Sequence, residues 1–80
     1  MKVYVFIESE SDDNISTYVE VFAKREDAVK RLEAVYYEET VERDESEPLL
    51  DSWISAGHES ALVMYNNLSI NWWVEEKEVF

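Results

Sequence analysis

The chain has 80 residues, 19 of them acidic and 7 basic, for a net charge of −12. Such a surface repels nucleic acid and anionic membranes and attracts basic protein surfaces, with solubility alone as the plainer use of the charge. Without cysteine there are no disulfides and no thiolate metal sites, and no apolar run approaches the roughly 20 residues of a membrane span.

Length and composition point to a single domain over residues 1–80. At 46% hydrophobic and 14% aromatic the chain can build a packed core and is no disordered acidic tail. A domain this small buries only roughly 60–65% of its unfolded surface, so it is expected to be marginally stable or supported by a partner. The opening MKVYVFIE is too short for a signal peptide and lacks a small-residue cleavage site, which points to the cytoplasm.

Residues 2–8 alternate with apolar side chains on both faces, Val3, Val5 and Ile7 against Tyr4 and Phe6, as in an interior strand. Glu8 to Asn14 reads as a polar turn. Ile15 to Phe22 follows as a second strand, with Ile15, Thr17, Val19 and Val21 on one face and Ser16, Tyr18, Glu20 and Phe22 on the other. The short connection predicts an antiparallel hairpin.

Lys24 to Val41 carries Ala28, Leu32, Val35 and Tyr36 at i, i+4, i+7 and i+8, with Val29 beside them, the apolar stripe of a helix of about five turns. Glu26 and Asp27 suit its first turn, but neither Ala23 nor Lys24 is a good N-cap. Lys24, Arg25, Lys30 and Arg31 form a basic cluster. The i,i+4 pairs Glu26–Lys30 and Asp27–Arg31 favour local neutralisation over a nucleic-acid patch.

From Glu38 to Asp51 the chain is strongly acidic, and carboxylates at the helix C-terminus oppose its dipole. Pro48 stops any helical continuation. Leu49, Leu50, Trp53 and Ile54 then form an apolar patch compatible with a short strand or a helical turn. Gly57 marks a turn. Ser60 to Tyr65 reads as a third strand, Asn66-Asn67 as a two-residue hairpin tolerant of positive φ, and Leu68 to Val79 as a fourth strand with Leu68, Ile70, Trp72 and Val74 on its core face. The expected fold is α+β: a four-stranded antiparallel sheet in β-β-α-β-β order, with one long helix packed on one face.

Nothing in the sequence assembles a catalytic site. His58, the single histidine, has only Glu59 nearby in sequence to orient it. Asp12, Asp13 and Asn14, or Asp44, Glu45 and Glu47, lack calcium-loop spacing, and one glycine cannot build a phosphate cradle. The expectation is no enzyme, no metal and no cofactor.

Trp72 and Trp73 must point to opposite faces of their strand. If the second face is open, Trp73 is expected to share it with Tyr4, Phe6, Tyr18 and Phe22 as an aromatic binding or dimer surface. The alternative is that segment 42–58 covers that face with Leu49, Leu50, Trp53 and Ile54.

The stretches MKVYVFIES, VFAKREDAVKRLEAVYYEE and WWVEEKEVF together resemble a group of small acidic proteins of phages, prophages and gut-bacterial mobile elements. The resemblance spans about half of the chain. It departs at the helix cap, where members of the group carry Ser or Thr and this chain has Ala23 and Lys24. It implies an anti-defence, anti-CRISPR-like inhibitor acting in the host-cell cytoplasm. Its partner would be a host protein with a basic nucleic-acid-binding surface, bound by nucleic-acid mimicry without direct contact to nucleic acid or membrane. The acidic candidates are Glu38, Glu39, Glu42, Asp44, Glu45, Glu47 and Asp51, the Glu8–Asp13 turn, and Glu75, Glu76 and Glu78. The alternative is an interaction module or homodimer using the aromatic face through Tyr4, Phe6, Tyr18 and Trp73, with charge serving solubility.

Overall fold

A computed structural model describes residues 1–12, 14–41 and 49–79. The elements are β1 (Lys2–Ser11), β2 (Ile15–Phe22), α1 (Arg25–Thr40), β3 (Asp51–Ile54), β4 (Ser60–Met64) and β5 (Ser69–Glu78). The α+β class and the antiparallel sheet with one helix on one face are as expected. The strand count is not: among the described residues the sheet has five strands, in the order β2-β1-β5-β4-β3.

The additional strand is the apolar patch after Pro48. Asp51–Ile54 pairs antiparallel with β4, Trp53 opposite Leu62 and Ile54 opposite Ala61. A strand lets Ile54 pack toward the core beneath α1 while Trp53 stands on the other face. A helical turn would have held both side chains near one side. Residues 51–54 therefore extend the sheet edge, and do not lie across its second face.

β1 also runs further than its apolar alternation, to Ser11 rather than Glu8. Its neighbours β2 and β5 both pair with it as far as Ser11, so backbone hydrogen bonding on two sides carries the polar residues Ser9, Glu10 and Ser11 into the strand. The turn shrinks to the residues around Asp12 and Asn14, where the Asn14 N–H donates to the Asp12 carboxylate at 2.7 Å. β2 spans the expected residues.

α1 buries Ala28, Leu32 and Val35 of the expected stripe. Leu32 and Val35 pack with Phe6, Ala61, Val63, Tyr65, Ile70 and Trp72, and Tyr36 meets the Trp72 ring edge to face at 6.4 Å. The weak entry is visible too: Lys24 occupies the N-cap with extended backbone and gives no side-chain cap.

The β4–β5 hairpin turns at Asn66-Asn67, closed by the Tyr65 N–H donating to the Leu68 carbonyl at 2.7 Å. Neither asparagine uses positive φ. The left-handed non-glycine residue among those described is His58, at φ 55°, in the β3–β4 connection. That loop is organised by the Ser55 hydroxyl, which accepts from the Glu59 and Ser60 N–H groups at 3.0 and 3.1 Å.

Candidate functional site

The pairing register decides which side chains share a face. Tyr4 lies opposite Phe22, Phe6 opposite Glu20 and Glu8 opposite Tyr18, while β1 sets Phe6 against Val74, Glu8 against Trp72 and Ile7 against Trp73. Tyr4, Phe6, Tyr18 and Phe22 do share a face, but it is the helix side, with Trp72. Phe6 is fully buried, and Tyr18 meets its ring edge to face at 6.4 Å. Trp73 stands on the opposite side with Val3, Val5, Ile7, Val19 and Val21. The expected set of Trp73 with Tyr4, Phe6 and Tyr18 is corrected accordingly: the second face is aliphatic around two tryptophans, Trp73 and, at the β3 edge, Trp53.

None of the described segments covers this second face. Across it run the rows Val21–Val5, Val19–Ile7–Trp73, Thr17–Ser9–Asn71–Leu62–Trp53 and Ile15–Ser11–Ser69–Met64. Ile15, Val19 and Val21 are 77%, 53% and 60% exposed, and Trp53 is 45% exposed. Ser9, Ser11, Thr17, Ser69 and Asn71 are uncharged polar positions here. The charged strand residues on the face are Asp51, Glu75 and Lys77, and Lys77 pairs with Glu75 at 3.1 Å. The Trp73 indole N–H also donates to Glu75 at 3.0 Å, and this bond, followed by Lys77, holds the Glu75 carboxyl below its ordinary pKa. A chain of charge −12 thus keeps one broad face nearly neutral.

The acids collect on the helix side and at the ends. Glu8 accepts the Trp72 indole N–H at 2.7 Å, and Glu39 accepts the Tyr65 hydroxyl at 2.8 Å. Glu10 lies among them, its carboxyl raised above its ordinary pKa by burial first and then by the charges of Glu8, Glu39 and Asp12. Glu76 pairs with Lys2 at 3.5 Å and Glu78 with the Met1 amino group at 3.3 Å, so the tail acids already have cationic partners. Glu38 is exposed on the last turns of α1, and Asp51 caps the Ser52 N–H at 2.9 Å. The candidates Glu42, Asp44, Glu45 and Glu47, with Asp13, lie outside the described residues.

The two helical arginines are engaged by acids elsewhere in the fold. Arg25 pairs with Glu59, and Arg31 reaches Glu20 at 3.6 Å with its guanidinium 5.6 Å from the Phe6 ring. Arg31 is thus drawn to the sheet instead of to Asp27. On β2, Glu20 also accepts the Tyr18 hydroxyl at 2.7 Å, which raises the Tyr18 pKa.

His58 is held by Glu33 of α1, Nδ1 to Oε2 at 2.6 Å, and not by its sequence neighbour Glu59. The pair rims a groove of about 290 Å³ lined by Tyr36, Tyr37, Thr40, Val41 and Ile54. The Thr40 hydroxyl in this groove donates to the Tyr36 carbonyl at 2.8 Å. Among the described residues no three His, Asp or Glu side chains gather in a metal-holding cluster, and no helix is long and apolar enough to cross a membrane.

Sequence reading missed that Ile15, Val19, Val21 and Leu62 belong to one surface with Trp73. Its signal is the absence of charge at these alternating positions in a chain that is 32% charged. No family model, curated protein or solved structure matches the chain.

Proposed function

We propose that the chain is a non-catalytic protein-interaction module whose nearly neutral sheet face is its contact surface. The observation that carries this reading is the segregation of charge. Antiparallel sheets that face water commonly alternate a core face with a charged one, whereas the face away from the helix here sets aliphatic side chains and two tryptophans among Ser, Thr and Asn and leaves most strand acids to the helix side. A contiguous exposed patch of this kind marks a docking surface. The remaining surface, rich in acids, keeps the module dispersed and steers encounters.

The test is a surface scan. Val5→Lys and Val19→Lys alter the sheet face; Glu8→Gln and Glu10→Gln alter the acidic side. Binding to any purified partner lost only in the first pair supports the reading, and loss only in the second pair contradicts it.

A second reading is favoured by the crowding of Glu8, Glu10, Asp12 and Glu39, where burial first and then the neighbouring charges raise the Glu10 pKa. In it, the acidic side occupies the basic nucleic-acid-binding site of a host protein, as an anti-defence inhibitor from a phage or mobile element would. Such a complex would weaken steeply with salt and be displaced by duplex DNA.

A further inference from the structure

We infer that the occupant of the open sheet face is a second copy of this chain, the two sheets packing face to face about a twofold axis. This rests on the preceding reading that the face is a contact surface, and adds what fills it.

Charge is the first argument. Two bodies of charge −12 repel, and the sheet face on which fewest carboxylates oppose one another is this one, where Glu75 is already paired with Lys77 and Asp51 stands at the β3 edge. A basic partner would gain nothing from a surface so nearly neutral. Among the described segments none lies over Val19, Ile7 and Trp73.

Area is the second argument. Strands rising about 3.3 Å per residue and spaced about 4.8 Å apart give this face roughly 600 Å² in projection. Two copies would remove about 1,200 Å² before side-chain relief is counted, above the roughly 1,000 Å² expected of a specific interface. The β-branched residues of β1 and β2 suit the interdigitation of two sheets about 10 Å apart, and a twofold contact is satisfied by one patch meeting itself.

The experiment is sedimentation equilibrium of the full chain across a wide concentration range, at low and high sodium chloride. The expected result is a mass rising from 9.5 kDa toward twice that value, with association strengthened by salt because screening removes repulsion between like-charged copies. Val19→Lys should remain monomeric with an unchanged cooperative melt. Thr17→Lys, at an already exposed polar position, provides the same test with less risk to folding. A chain that stays monomeric at every concentration and salt overturns the inference, as does a dimer indifferent to both substitutions. In the monomeric case, binding of an anilinonaphthalene sulfonate dye that either lysine abolishes preserves the open face as a contact surface for another protein. Absence of dye binding by the monomer removes that reading too.

Discussion

Trp72 and Trp73 are consecutive in β5 yet serve opposite surfaces. The Trp72 indole is buried under α1 with its N–H donated to Glu8 at 2.7 Å, while Trp73 lies on the open face with its N–H donated to Glu75 at 3.0 Å. The period of two along a strand converts one dipeptide into a core anchor and a surface anchor.

Truncating the two should therefore separate stability from association. Trp72→Ala is expected to cost about 3–5 kcal/mol, as for a large buried aromatic, and to lower the chemical denaturation midpoint sharply. Trp73→Ala should leave most of that stability intact and weaken self-association. Equal losses of stability in both variants would contradict the assignment of faces.

Glu8 has a structural role through the same indole. Glu8→Ala leaves the Trp72 N–H without its acceptor and should cost about 1–3 kcal/mol in denaturant melts. Glu8→Gln retains a side-chain carbonyl acceptor and should cost clearly less.

Residue spacing made much of the fold legible. Ala28, Leu32 and Val35 define the buried stripe of α1, and the alternation in Ile15–Phe22 and Ser60–Met64 assigns each residue to the correct side of its own strand. What spacing within a strand does not carry is the register between strands distant in sequence. β1 is apolar on both sides, so Trp73 fits Phe6 or Ile7 equally well until the β1–β5 pairing sets it opposite Ile7. β3 escaped for a different reason: four residues are too few to display a period.

Glu10 should make the protein less stable as pH rises through the mildly acidic range. Its folded pKa is raised, by burial and then by Glu8, Glu39 and Asp12, so the folded state holds the proton more tightly than the unfolded chain. Between the unfolded and folded values stability falls with rising pH, and above the folded value the full penalty remains. Glu10→Gln should raise the melting temperature modestly at neutral pH and flatten this part of the pH profile. A lower melting temperature at neutral pH would show that the charge is needed.

Leu32 sits at the centre of the helix–sheet contact with no exposed surface. Leu32→Ala should cost about 2–5 kcal/mol, a large share of the stability of an 80-residue domain. Tyr37→Ala, on the exposed side of the same helix, should cost little by thermal denaturation.

The most direct test of the open face as the contact surface is a methyl NMR dilution series. The methyl signals of Val5, Ile7, Val19 and Val21 should move together with concentration, while those of the buried Leu32 and Val35 stay in place. Invariant sheet-face methyls, with concentration-dependent shifts confined to Tyr37 and the acids Glu8, Glu10 and Glu39 in matching amide spectra, would place association on the helix side and contradict the account.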